Sequence, residues 1–289
     1  MFAFKRIGLT VCAACVCVCF ALVSTAPAAL LVEESFDGAG YTAAALLNGL
    51  NGGTGWAGAW TANSDSGLPQ DIQAGNLDNY PGLVNSGNHV RLWACGDHNV
   101  YSKASRSFAS TIPDAGQTIW LALQLAANDA KEGPSKFYLR DDDADDYVLR
   151  VRSEADTRVQ TSQNQTLFNG DDAYTPHLLL VKIEMSGGAG DETLTYYLDP
   201  DLSADPTGGT VQSASLDSGL TAFKWDGPRA STGMACDMYM DEIRLATTWQ
   251  EAVGAEGGVI PEPAMMIVWL GLMGICSLAG FRKGRSRRR

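Results

Sequence analysis

Residues able to do chemistry are few and scattered along this 289-residue chain. The densest stretch is "RDDDADDY", which sets Asp141, Asp142, Asp143, Asp145 and Asp146 into six positions. Calcium takes several carboxylates from one flexible loop, but the D-x-D-x-D-G spacing and closing Glu of an EF-hand are absent. Between "KFYLR" and "YVLRVR" the run reads as a solvated hairpin turn, with calcium as the alternative. A second pair, Asp241 and Glu242 in "MDEIRL", is adjacent, and strict alternation along a strand sends the two to opposite faces. Glycoside hydrolysis needs two carboxylates about 5 to 9.5 Å apart across one bond, and neither this pair nor "VEESFD" has a suitable spacing.

Nucleophile chemistry has as little support. There is no G-x-S-x-G elbow, and His89, His98 and His177 are the only imidazoles. His177 opens an apolar strand and reads as packing or surface. "CGDH", from Cys95 to His98, offers two metal ligands without the second pair a zinc site takes. Trp56 and Trp60 in "GTGWAGAW" lie among glycines, where rings could stack on sugars, but burial beneath the first strands is the expected role of aromatics this large. No catalytic residue, metal or cofactor is assigned, and the chain is not read as an enzyme.

The ends explain most of the remaining chemistry-bearing residues. "MFAFKR", "IGLTVCAACVCVCFALV" and "STAPA" are the basic, apolar and small-residue regions of a signal peptide, with Ala26 and Ala28 fitting the A-x-A rule of signal peptidase. Cys12, Cys15, Cys17 and Cys19 are then small apolar residues of a segment that is removed. At the other end, the residues from Ala264 to Phe281 carry no charge over 18 positions, and six cations follow. That length is close to the ~20 residues of a transmembrane helix, and the cations orient it with the tail inside. Only Cys95 and Cys236 remain in the body, with Cys276 in the apolar run. One disulfide or two buried thiols are both open readings.

Pro261, Glu262 and Pro263, then a span, then an Arg-rich end, resemble the PEP-CTERM sorting signal of Gram-negative bacteria. The resemblance implies recognition and cleavage by exosortase, an integral-membrane transpeptidase. It also implies anchoring in the inner membrane before processing, then release to the outer surface or extracellular matrix. The two prolines keep the motif extended and separate from the span.

The exported body is strongly acidic. Two of the 21 Lys and Arg lie in the signal peptide and six in the tail, and one of the 33 Asp and Glu is Glu262. That leaves 13 cations against 32 anions, a net charge near −19, which argues against nucleic acid as a partner.

Along the body, short alternating runs are separated by turns such as "NGGTG", "SGGAGDE" and "DPTGG". "HLLLVKIEM" places Leu179, Val181, Ile183 and Met185 on one face. "LLVEESF", "HVRLWAC", "IWLALQLA", "KFYLR", "YVLRVR", "TLTYYL", "VQSASL" and "MYMDEIRLA" are further strands, and "YTAAALLNGL" is expected to hold a short helix. Roughly a dozen strands without a βαβ rhythm mean an all-β sandwich or barrel. The opening "LLVEESFDGAGYTAAALLNGLNGGTGWAGAWTANS" and the closing "HLLLVKIEMSGGAGDETLTYYLDPD" and "MYMDEIRLATTWQEAV" resemble laminin-G-like, concanavalin-A-like jelly rolls. That resemblance implies two antiparallel sheets with first and last strands close together. It does not imply chemistry, since the fold hosts lectins, glycosidases and adhesive modules alike. The E-x-D-x-x-E strand of jelly-roll glucanases is not found here.

The expected organisation is a signal peptide (1–28), a jelly-roll domain (29–250), a Gly-rich linker (251–260) and the sorting signal (261–289). The last divides into the motif 261–263, the helix 264–281 and the tail 282–289. The expected function is a non-catalytic adhesive or glycan-binding surface protein, its partner an exopolysaccharide or surface glycan. A secreted carbohydrate-active enzyme is the alternative.

Overall fold

In a computed structural model of the protein, the described residues are 28–38, 40–64, 70–78, 80–84, 87–95, 102–128, 133–139, 149–153, 157–161, 166–169, 175–187, 192–214, 219–226 and 235–254. They belong to one compact unit, Ala28–Ala255. The expectations for Ala26, the motif at Pro261, Glu262 and Pro263, the span, the Asp141–Asp146 run and His98 lie outside the described residues. No helix among the described residues is long and apolar enough to cross a membrane.

Fifteen strands, all paired antiparallel, form two sheets among these residues. The larger runs β13 (Thr210–Ala214), β12 (Glu192–Leu198), β11 (His177–Glu184), β6 (Thr118–Asn128), β15 (Ala235–Ala246), β4 (Asn88–Cys95) and β3 (Gln70–Ala74), with β1 (Leu30–Glu34) also on β15. The smaller runs β10 (Thr166–Asn169), β9 (Thr157–Thr161), β8 (Leu149–Ser153), β7 (Gly133–Tyr138), β14 (Leu220–Asp226), β5 (Ser102–Ile112) and β2 (Thr61–Ser64). One core joins the sheets: Leu121, Leu123, Leu179 and Val181 of the larger meet Phe137 and Phe223 of the smaller. The all-β sandwich is therefore observed. The acidic run falls in the connection between β7 and β8, which pair as a hairpin from Phe137↔Leu149 to Gly133↔Ser153.

Two expectations need correcting. Residues 41–50 form turns and an isolated bridge rather than a helix. Ala44, Ala45 and Leu47 hydrogen-bond along β3 and cover its edge, which a helix could not do. The short helix, α1, is instead Trp249–Ala252, capped by the Thr248 hydroxyl. The second concerns β15. Its core-facing residues are Met238 and Met240, then Ile243 and Leu245, so the alternation slips by one. The slip is a bulge between Asp241 and Arg244, with Glu242 at φ +52°. Strict alternation fails there, and both carboxylates reach the outer side of the sheet.

Two layers bury β11. Leu179, Val181 and Ile183 enter the main core, while Leu178 and Leu180 join a second cluster with Trp120, Ala122, Ala246, Leu83, Trp249 and Val253 on the outer face. That cluster is roofed by α1 and by a strap, residues 75–78 and 80–84, which contributes Leu83 and Tyr80.

The sheets are tied by a buried ion pair. Glu34 on β1 accepts from Arg106 Nη1 on β5, from Tyr41 Oη (2.7 Å), from Trp60 Nε1 (3.1 Å) and from the Phe36 amide (3.2 Å). Arg106 also donates to Gly58 O (2.6 Å), Asn51 Oδ1 (2.5 Å) and Gly52 O (2.8 Å). Burial pushes the Glu34 carboxyl above its ordinary range, and Tyr41, Arg106, Trp60 and the Phe36 amide pull it back. "NGGTG" lets the chain lie against β1. Gly53 and Gly55 take positive φ, and a Cβ on them would stand 2.1 Å from Glu33 O and 2.0 Å from Leu31 O.

Removing one partner of a buried pair strands the other charge, so Glu34→Gln or Arg106→Met should each cost about 3 to 5 kcal/mol in urea unfolding. The double variant should recover part of the loss. A cost below about 1 kcal/mol in both single variants would contradict this role.

Candidate functional site

The outer face of the larger sheet divides in two. One half lies beneath α1 and the strap; the half on β3, β4 and the start of β15 carries polar and aromatic side chains. Register aligns Asp71 with Arg91, Arg91 with Tyr239 and Tyr239 with Ala126, and one step along the sheet Gln73 aligns with His89. Residues opposite one another share a face, so these side chains form one patch.

Each position is fixed. Arg91 grips Asp71 through Nε to Oδ1 (2.9 Å) and Nη2 to Oδ2 (2.8 Å), and Gln73 Nε2 donates to the same Oδ2 (2.8 Å). His89 Nδ1 lies 2.6 Å from the Gly75 carbonyl. A carbonyl only accepts, so Nδ1 carries the proton and Nε2 of the neutral ring is left as an acceptor. The His89 ring meets Tyr239 edge to face, centroids 5.6 Å apart. Asp71 is buried, whereas Gln73, His89, Arg91 and Tyr239 are half-exposed. The patch therefore presents two aromatic rings on a face braced by the Arg91–Asp71 ion pair and the Gln73 amide.

Below the patch the face turns acidic and closed. Asp241 and Glu242 are both fully buried. Asp241 accepts from the Leu77 amide of the strap (3.2 Å) and from the Glu242 amide (2.9 Å). Burial pushes its carboxyl up to about 8, with the neighbouring Glu242 charge adding to the rise and Arg244 opposing it. Glu242 is held by Arg244 Nε (3.2 Å), and Arg244 also reaches Glu33 (2.9 Å).

The sequence-derived candidates are not brought together. Trp60 is buried, and Trp56 packs against Trp60, Phe108 and the Arg106 guanidinium, 4.8 Å from its ring. Its indole N–H donates to Glu33 O (2.9 Å), so both tryptophans serve the ion pair, not a sugar platform. His177 pairs with Asp199 (2.5 Å). Ala28 is exposed, one residue before Ala29, whose amide donates to Thr247 Oγ1 (2.9 Å). Cys95 aligns with Ala235 and Cys236 with Ala94, so the two cysteines lie on adjacent strands, one step out of register; their side chains lie outside what is described. No group of three metal-ligating residues occurs among the described residues. A cleft of about 250 Å³ between Leu31, Gly55, Ala109 and Pro113 is smaller than the ~300–1,000 Å³ of typical ligand pockets.

No family model and no curated protein matches the chain. Among solved structures, a GH131 beta-glucanase catalytic domain from Podospora anserina is 12% identical, with 60% of this chain and 78% of that one covered, at a TM-score of 0.39. The binding domain of botulinum neurotoxin DC, in complex with rat synaptotagmin II, is 8% identical over 68% of this chain and 45% of that one, TM-score 0.39. The VIP36 exoplasmic/lumenal domain, Ca2+/Man-bound form, is 11% identical over 64% and 85%, TM-score 0.37. The chain spans less than half the length of the toxin domain. Likenesses this distant say nothing about activity.

Asp241 generates a pH dependence. A carboxyl that holds its proton more tightly when folded contributes stability that is complete below its ordinary value of 3.8 and lost as pH rises toward about 8. The parent should lose thermal stability across that window, and Asp241→Asn should lose distinctly less. Identical pH profiles for the two would contradict the assignment.

Proposed function

We propose that the chain is an exported, non-catalytic glycan-binding protein of jelly-roll type, its ligand face formed by Gln73, His89, Arg91 and Tyr239. The observation that carries this reading is the patch itself. Half-exposed rings beside fixed donors and acceptors suit a sugar, which presents an apolar face and a rim of hydroxyls. Tyr239 and His89 supply ring surface and His89 Nε2 an acceptor, while Arg91 and Gln73, fixed on Asp71, hold the face in shape. Binding is favoured over hydrolysis because the carboxylates on this face are occupied: Asp71 is held by Arg91 and Gln73, and Asp241 lies under the strap. Delivery follows the tail, with signal peptidase acting after Ala28 and exosortase at Pro261, Glu262 and Pro263.

Two experiments test the reading. On a polysaccharide panel, the full chain should bind at least one exopolysaccharide without releasing products. Tyr239→Ala and His89→Ala should each weaken that binding about tenfold while leaving the melting temperature in place. Product release, or binding indifferent to both substitutions, overturns it. In a host with exosortase, mass spectrometry should find the mature C-terminus at or near Pro261 to Pro263. Intact Arg289 on most mature molecules contradicts the delivery route.

A further inference from the structure

Two oddities meet where the strap crosses the larger sheet. Gln124 on β6 is fully buried, and its Oε1 makes no hydrogen bond. The amide cannot be reversed to cure this. Its Nε2 donates to the Asp78 carbonyl of the strap (3.4 Å), and a carbonyl facing a carbonyl would leave two acceptors in conflict. A buried acceptor without a donor is destabilising because its lost hydration is not replaced, so a donor is called for. Directly across the strand pair stands Asp241, with an oxygen on the Leu77 amide of the same strap.

We propose that Asp241 is kept as a neutral carboxylic acid with its proton directed at Gln124 Oε1, and that this pair latches the strap onto the outer face of the sheet at Leu77 and Asp78. Both members hold the strap by its backbone, Asp241 at Leu77 and Gln124 at Asp78. The opposing charges around Asp241 favour the proton. Glu242 is adjacent on its own strand, and Asp78 is in the strap. Arg244 is shared among Glu242, Glu33 and the Val84 carbonyl. On β4, the neighbouring titratable and charged groups are His89, held through Nδ1 by the Gly75 carbonyl, and Arg91, gripped by Asp71. Carboxyl burial moves the titration into the same range, as described above. When the proton leaves to solvent, a carboxylate faces an amide oxygen across the strand pair with Glu242 beside it. Water must then enter, and the strap lifts. Because Gly75 of the strap holds His89, the patch beside it feels the same event.

Hydrogen–deuterium exchange on the full chain reads this directly. After correction for intrinsic rates, amides of residues 75–84 should exchange at least about tenfold faster at pH ~9 than at pH ~6, while β11 stays protected. Gln124→Met, which keeps the bulk and removes the acceptor, should raise strap exchange at the lower pH toward the level seen at the higher one. Asp241→Asn, whose amide donates without titrating, should hold the strap at both. Equal strap protection at the two pH values in the parent overturns the proposal, as does a Gln124→Met variant indistinguishable from it. Protection restored at high pH by calcium and abolished by EDTA also overturns it, because a cation rather than a proton would then fill the gap. None of these outcomes depends on the glycan reading.

Discussion

A guanidinium and a carboxylate, Arg106 and Glu34, lie out of water between the two sheets, and the first third of the domain is arranged around them. Withdrawing each ion costs several kcal/mol, and their attraction offsets this only when the remaining donors and acceptors are satisfied. Here nearly every one is. Tyr41, Trp60 and the Phe36 amide complete the carboxylate, while Gly52, Gly58 and Asn51 complete the guanidinium. Trp56 covers the flat side of the cation, an arrangement worth about 0.5 to 2 kcal/mol. The loop between β1 and β2 therefore has its path dictated by one ion pair, and the close glycines at 53 and 55 follow from that path.

This constraint explains which parts of the fold were legible in the sequence. Strands such as β11 and β6 alternate openly, and the nine runs picked out by pattern coincide with strands. β5, in "SKASRSFASTI", does not read as a strand because its buried positions include an arginine; the pattern treats Arg106 as surface. β14 hides in the same way. Lys224 is buried there, its ammonium 5.2 Å from the Tyr138 ring. Residues 41–50 carry helical propensity in their alanines and leucines, but the open edge of β3 needs backbone partners, and tertiary demand overrides propensity.

The patch was less legible still. Asp71, Arg91 and Tyr239 lie up to 168 positions apart in the numbering, and only register makes them neighbours. Nothing local marks them, whereas the conspicuous tryptophans and the acidic pair proved to be structural. The bulge at Glu242 was equally hidden. A positive φ at a buried glutamate is rare enough to signal strain held by its surroundings, and "MDEIRL" reads as an ordinary strand.

The pairing of β1 with β15 has a consequence in time. The first strand of the sandwich completes its hydrogen bonds only against the last, more than two hundred residues later. β15 also stands at the centre of the larger sheet between β6 and β4, so the β13–β12–β11–β6 and β4–β3 halves of that sheet are joined only through the last strand. Such non-local topology folds slowly and keeps apolar edges open while it waits. Local hairpins such as β3 with β4 and β7 with β8 have their partners early, but the larger sheet is continuous only once its final strand is in place.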